Sequence, residues 1–109
     1  MGNAEEKTDG QNSASPAGYA VRICVPVRTA SSPWRDVWKD YRVPIPPFIG
    51  MTFNLGSGCF DDVLKVTGVQ CVEATGLVMV HLEQYDLSGQ QGICLDADGW
   101  VSGGDPYSA

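Results

Sequence analysis

The sequence predicts a small α+β domain dominated by β-structure, in which four to five antiparallel strands curl into a partly open, SH3-like barrel beside one short helix. Three observations support this fold class. Several short segments are rich in β-branched residues, Gly- and Ser-rich turns separate them, and a single stretch of ten residues has helical periodicity. The length of 109 residues suits one domain.

The N-terminal segment differs in composition from the rest of the chain. Residues 1–18 contain Met1 and three alanines as their only apolar side chains, too few to offset the entropy lost on ordering. We therefore expect a disordered leader (1–18), one globular β-rich domain (19–104) and a loose C-terminal tail (105–109).

The first predicted element is a strand and the second is a helix. YAVRICVPV (19–27) is rich in β-branched residues, as strands are. In SPWRDVWKDY (32–41), Ser32 suits the N-cap and Pro33 suits the first helical position. The apolar residues of this segment then share one face of a two- to three-turn helix: Trp34, Val37, Trp38 and Tyr41.

The proline-rich segment RVPIPPFIGM (42–51) follows the predicted helix. Pro44 and Pro47 satisfy the minimal P-x-x-P pattern of SH3-type ligands, but no arginine stands at the flanking spacing that such ligands use. Exposing the apolar side chains of this segment would also be costly. We therefore expect a stiff connector that leads into a strand over residues 49–55.

The clearest signal is a β-hairpin over residues 63–87. EATG (73–76) predicts a three-residue loop with Gly76 in the left-handed conformation, which would place Val72 opposite Val78. Gly68 predicts a bulge. ICLDADGWV (93–101) predicts a last strand. The expected core face of the hairpin carries Leu64, Val66, Val72, Val78, Val80 and Leu82.

The opposite face of this hairpin is too apolar for ordinary solvent-exposed surface. We predict that it forms an interaction face, since soluble monomers rarely leave apolar areas of several hundred Å² uncovered. Either a second copy of the chain or another protein would cover it. The residues of this face are Val69, Cys71, Leu77, Met79, His81 and Glu83.

Charge and cysteine content narrow the choice of partner and compartment. A net charge of −6 argues against binding nucleic acid. The four cysteines form no C-x-x-C pair, and we expect them to be reduced thiols. The sequence has no pattern of a signal peptide and no apolar run long enough to span a membrane. We therefore expect a soluble cytoplasmic protein.

No motif for catalysis, cofactor or metal binding is present, so we predict no catalytic residue, no cofactor and no metal. A Cys71–His81–Glu83 trio could in principle bind zinc or activate a thiol, but no motif supports it. DADGWVSGGD (96–105) resembles a calcium loop only superficially, because Cys94 would occupy the first ligand position.

The sequence therefore predicts a small non-enzymatic interaction module, a homodimer that engages a protein partner through the half-apolar hairpin face. The alternative is a protein that binds a small cationic or flat aromatic ligand in an aromatic cleft. A third hypothesis is a metal- or thiol-dependent enzyme centred on Cys71 and His81. The cleft of the alternative would be lined by Trp34, Trp38 and Tyr41.

Overall fold

The computed structural model describes residues 18–55, 59–60, 62–89 and 93–108, with the side chains of the last range described from Leu95 onward. The predicted disordered leader lies outside the described residues, except for Gly18. The secondary-structure elements in chain order are β1 (Tyr19–Thr29), β2 (Ser32–Val43), β3 (Thr52–Asn54), β4 (Val63–Val72), β5 (Leu77–Leu82), β6 (Tyr85–Leu87), α1 (Ile93–Ala97) and β7 (Val101–Ser102).

The seven strands form one open, mixed sheet. Their order is β3-β4-β5-β1-β2-β7, and β6 pairs with β1 beyond the end of β5. The prediction of a β-dominated domain is confirmed. The sheet is not closed into a barrel, and β1 pairs in parallel with β5 and β6, whereas the sequence predicted antiparallel pairs throughout.

The segment predicted to be a helix is strand β2, so that prediction is wrong. β2 pairs with β1 from Ser32 opposite Thr29 to Val43 opposite Tyr19. A helix this short is marginal without tertiary contacts. As a strand, the segment instead gains a long ladder of backbone hydrogen bonds and buries Val37 and Trp38 on its two faces.

The two faces of the sheet bury side chains to different extents. We call the side that carries Val25 and Val80 face A, and the side that carries Cys24 and Met79 face B. Face A is covered by residues from β3, by Phe60 and by the segment around α1. Its fully buried cluster contains Val21, Ile23, Val25, Val27, Val37, Val43, Cys59, Phe60, Leu64, Val66, Val80, Leu82, Leu87, Leu95 and Trp100.

The β4–β5 hairpin differs from its prediction by one residue in register. Gly76 has the expected left-handed conformation, with φ of 73°. The turn spans four residues, 73–76, so Val72 pairs with Leu77 and not with Val78. The predicted bulge is confirmed, since the register shifts between Val66 and Gly68.

The last predicted strand is also wrong over most of its length. Residues Ile93–Ala97 form the single helical turn α1, and only Val101–Ser102 belong to a strand. The turn closes where Trp100 N donates to the carbonyl of Leu95 over 2.9 Å and Gly99 has φ of 84°. This turn allows both Leu95 and Trp100 to be buried against face A, which an extended chain with alternating sides would not.

Cys59 is buried and disulfide-bonded, so the expectation of four reduced thiols is wrong for this residue. Cys24 and Cys71 are free thiols. In the part of the chain that the structure describes, no helix combines the length and apolar character needed to cross a bilayer.

Candidate functional site

The three aromatic residues predicted to line a ligand cleft lie on both faces of the sheet. Trp38 packs with Cys24 and Met79 on face B, whereas Tyr41 packs against the face A cluster. Trp34 is 41% exposed, and the Arg28 guanidinium lies 5.2 Å from the centroid of its ring. Because successive side chains of a strand point to opposite sides, Tyr41 does not share a cleft with Trp38, so the three rings do not line one site.

The predicted interaction face is also divided between the two sides, and the bulge is the cause. One extra residue in β4 reverses which side the following residues face. Val69 and Cys71 therefore pair with Val80 and Val78 on the face A side, although both are exposed there. On β5 the face B residues are Leu77, Met79 and His81.

The predicted Cys71–His81–Glu83 trio is not assembled. His81 Nε2 lies 3.4 Å from Gln70 Oε1, and its ring centroid lies 6.4 Å from that of Tyr107. Glu83 Oε2 instead accepts a hydrogen bond from Lys65 N over 2.9 Å. No group of three or more His, Cys, Asp or Glu side chains is placed to hold a metal ion within the described ranges.

The acidic residues of the calcium-like stretch serve local structure. Asp98 provides its carbonyl oxygen to Lys39 Nζ, and Asp105 Oδ1 accepts a hydrogen bond from Tyr107 N over 2.9 Å. Asp96 provides its carbonyl oxygen to Gly99 N over 3.1 Å. The contacts of Asp96 and Asp105 are those of turns, as expected for Asp and Gly, whereas that of Asp98 joins this stretch to β2.

A pocket of about 180 Å³ opens where β1 and the start of β5 diverge. Tyr41 and Asp40 line it, together with the turn of the β4–β5 hairpin. Burial raises the pKa of Tyr41, with a smaller contribution from the charge of Asp98. The pocket is smaller than the roughly 300–1,000 Å³ typical of sites for drug-sized ligands.

The most exposed apolar side chains belong to the proline-rich segment between β2 and β3. Ile45 is 48% exposed, Phe48 is 54% exposed and Ile49 is 69% exposed. We call residues 44–50 the apolar loop. The segment is a connector, as predicted, but it joins two strands and not a helix to a strand. The expectation that its apolar side chains avoid water is wrong.

The apolar loop is held in place by backbone hydrogen bonds. Met51 N donates to the carbonyl of Phe48 over 3.1 Å, which closes a turn in which Gly50 has φ of 94°. Gly50 N donates to the carbonyl of Val66 over 2.9 Å, and Val66 N donates to the carbonyl of Met51 over 2.7 Å. Ile49 therefore stands at the apex of a turn fastened to β4.

The sequence contained a signal for this exposed apex that periodicity alone does not show. Glycine is favoured at the third position of a type II turn, where φ is positive, and the second position is then the corner of the turn. In Phe48–Met51 these positions belong to Gly50 and Ile49.

Comparison of the chain with protein-family models, curated proteins and solved structures finds no match.

Proposed function

We propose that the protein is a small non-enzymatic interaction domain of SH3-like scale that docks on a protein partner through the apolar loop. The observation that carries this proposal is the exposure of three large apolar side chains, Ile45, Phe48 and Ile49, on one anchored segment. Soluble proteins expose single apolar residues routinely, but three within five positions mark an interaction site.

The anchoring of the apolar loop favours binding. Pro44, Pro46 and Pro47 each fix one backbone φ angle, and the turn at Phe48–Met51 is bonded to β4. A loop that is already ordered loses little entropy when it binds. Burial of one such side chain contributes on the order of 1.5–3 kcal/mol.

Charge favours a protein partner over a membrane or a nucleic acid. Residues 43–51 contain no charged side chain, and the chain has a net charge of −6. Anionic lipids and phosphate backbones both attract clusters of Lys and Arg, which this loop lacks. The matching partner surface is an apolar groove on another protein.

Self-association, predicted from the sequence, is the competing use of this loop. Two copies that each carry a net charge of −6 repel one another, which disfavours contact between like surfaces. We therefore assign the apolar loop to a different protein and treat the homodimer as an outcome that the experiment separates.

The disulfide at Cys59 indicates the kind of compartment in which the protein is found. Disulfides persist in oxidising compartments and are rare in the cytosol of most cells. The disulfide thus favours an oxidising compartment over the cytoplasm predicted from the sequence.

The test combines photo-crosslinking with measured affinity. A photo-reactive phenylalanine analogue replaces Ile49 in one variant and Val63 in a matched control, because Val63 is a 50% exposed apolar residue outside the loop. We expect a discrete adduct with another protein from position 49 and none from position 63. The purified partner should then bind the wild-type chain and lose roughly thirty-fold in affinity on Phe48→Ser, which corresponds to about 2 kcal/mol for a hot-spot residue.

Other outcomes contradict the proposal. An adduct at twice the mass of the chain would make the loop a homodimer contact. Flotation with lipid vesicles that is lost in Phe48→Ser would make it a membrane contact. Absence of an adduct at position 49, or unchanged affinity of Phe48→Ser, would remove the loop from any binding role.

A further inference from the structure

Face B carries a second arrangement of polar groups, centred on Arg22. The Arg22 side chain is 12% exposed. Its Nε donates to Asp40 Oδ1 over 2.8 Å and its Nη2 donates to Asp40 Oδ2 over 3.2 Å. Its Nη1 donates to the carbonyls of Pro106 and Ser108 over 2.9 and 2.6 Å. The C-terminal segment of the chain is therefore fastened to the sheet by one guanidinium group.

Residues 105–108, which we call the tail turn, have an internal structure that suits this contact. Tyr107 N donates to Asp105 Oδ1 over 2.9 Å, and Ser108 N donates to the carbonyl of Asp105 over 3.3 Å. These bonds form an Asx-turn of the kind that Asp side chains favour. The turn directs the carbonyls of Pro106 and Ser108 towards Arg22 and brings Tyr107 to within 6.4 Å of His81, centroid to centroid.

The connection to the tail turn is not packed against the rest of the protein at its two glycines. Gly103 and Gly104 have φ of 81° and 86°, and a Cβ atom added at either position would meet no atom within 4 Å. Tyr107 is 41% exposed although its ring faces His81. The tail turn thus sits on the sheet like a bound peptide rather than as part of the core.

The chemistry of Arg22 defines the class of ligand. Asp40 neutralises the guanidinium, and hydrogen bonding to this carboxylate raises the pKa of Arg22. The remaining Nη1 donors therefore suit neutral acceptors, such as peptide carbonyls, better than a phosphate or a free carboxylate. With the tail in place Arg22 is largely buried, and the carbonyls of Pro106 and Ser108 satisfy donors that would otherwise face the tail without acceptors.

We propose that Arg22, Asp40 and His81 form a peptide-binding site that recognises a turn of the type Asp-Pro-Tyr-Ser, and that the chain's own tail occupies this site. In this site, Arg22 donates hydrogen bonds to two backbone carbonyls of the turn, and the tyrosine ring of the turn lies beside His81. The tail acts as an internal competitor, because a short tether gives it an effective concentration in the millimolar range. A turn of the same chemistry on another chain binds when the tail leaves.

The experiment uses the full chain and the heptapeptide Gly-Gly-Asp-Pro-Tyr-Ser-Ala, the sequence of residues 103–109. His81 is the chain's single histidine, so its ring signals in the NMR spectrum report on this site without ambiguity. Asp105→Ala removes the acceptor that closes the tail turn. We expect this variant to shift the His81 signals and to bind the heptapeptide at least tenfold more tightly than the wild-type chain.

Two controls test the chemistry of the site. Arg22→Lys keeps the charge but lacks the guanidinium fork, so the Asp105→Ala, Arg22→Lys double variant should lose the heptapeptide. A heptapeptide with Ala in place of its Asp should not bind the Asp105→Ala protein, and this control is independent of whether Arg22→Lys folds. Equal peptide affinities in wild type and Asp105→Ala, unshifted His81 signals, or binding that survives Arg22→Lys would each overturn the proposal.

The same turn chemistry could come from a second copy or from another protein. Light scattering of the Asp105→Ala protein mixed with wild-type chain distinguishes the two sources. A mass of two chains that returns to one chain in Arg22→Lys would identify tail exchange between copies. A mass of one chain alongside heptapeptide binding would exclude exchange between copies and leave a turn on a different protein as the source. This inference does not depend on the apolar loop.

Discussion

The two faces of the sheet differ in role: face A contributes most of the stability, and face B is the more suitable face for recognition. Face A holds a buried cluster of fifteen residues among those described, whereas face B holds three, Cys24, Trp38 and Met79. Buried apolar area is the dominant favourable contribution to folding, so face A accounts for most of the stability. Face B can therefore carry polar and exchangeable contacts without endangering the fold.

The charged side chains of the two faces also differ in their surroundings. Face B carries the ion pairs Arg22–Asp40 and Arg28–Asp86. On face A, Lys39 lies over the rings of Tyr41 and Trp100 at 5.4 and 5.9 Å and so packs with the aromatic cover. The charged groups of face B meet solvent and the tail, which makes this face the more suitable one for recognition.

Replacing the central aromatic residue of face A should have the largest effect. Phe60 is fully buried, and its ring centroid lies 5.1 Å from that of Trp100 and 5.4 Å from that of Tyr85. We expect Phe60→Ala to lower the free energy of unfolding by about 3–5 kcal/mol in urea denaturation. A loss below about 1 kcal/mol would show that face A is not the main source of stability.

The two free thiols should differ strongly in reactivity. Burial raises the pKa of Cys24 to about 11 from an ordinary value of 9.0, whereas Cys71 is exposed. The thiolate fraction of Cys24 at neutral pH is then about a hundredfold lower than that of an unperturbed thiol. We expect Cys71 to react quickly with Ellman's reagent in the native protein, and Cys24 to react only after unfolding without reductant.

The control for this measurement is Cys71→Ser, which should abolish the fast reaction. Two fast native thiols would show that face B is open at Cys24. Four thiols in the unfolded, unreduced protein would contradict the disulfide at Cys59.

A matched pair on strand β5 compares the faces directly. Leu82 is buried on face A and Met79 is buried on face B, within one strand. We expect about 4 kcal/mol of destabilisation for Leu82→Ala and about 2 kcal/mol for Met79→Ala, since the small face B cluster can collapse around the gap. Equal losses in thermal or urea unfolding would contradict the division of roles.

The smallest expected effect concerns acid stability. Hydrogen bonding to Arg28 and to Ser88 lowers the pKa of Asp86 to about 2 from 3.8. A carboxyl group whose pKa is lower in the folded state stabilises the fold above its unfolded pKa, and this contribution is lost as pH falls from about 4 to 2. The effect should be slight, because both partners of this ion pair are exposed.

Unfolding curves of wild type and Asp86→Asn between pH 5 and pH 2 measure this contribution. The two curves should lie apart above about pH 4 and converge as the pH approaches 2. A constant gap over the whole range would show that the Arg28–Asp86 pair does not titrate with folding.

Local signals were sufficient for several elements. The β-branched segment at β1, the left-handed Gly76 and the bulge at Gly68 all follow from residue type and lie where the sequence predicted them. Each depends on the conformational preference of one or a few neighbouring residues. No distant part of the chain is needed to predict them.

Other features depend on contacts between distant residues. The spacing of the apolar residues in segment 32–41 is compatible with a helix and with a strand. Pairing with β1 determines that the segment is a strand. These residues are Trp34, Val37, Trp38 and Tyr41. The residues past the bulge exchanged faces, which divided the predicted interaction face of the hairpin. The predicted aromatic cleft was divided because its residues lie on a strand, where neighbouring side chains alternate in direction. The tail turn contacts Arg22, which lies more than eighty positions away in the chain, and no local sequence pattern predicts that contact.

The sequence by itself determined a small acidic β-rich domain with a turn at Gly76 and a bulge at Gly68, because these properties follow from composition and local backbone preference. The tertiary structure alone decided which side each strand residue faces and that the tail rests on Arg22. The reason is physical: burial and hydrogen bonding are settled between distant segments, and one bulge or one strand pairing changes the environment of many residues at once.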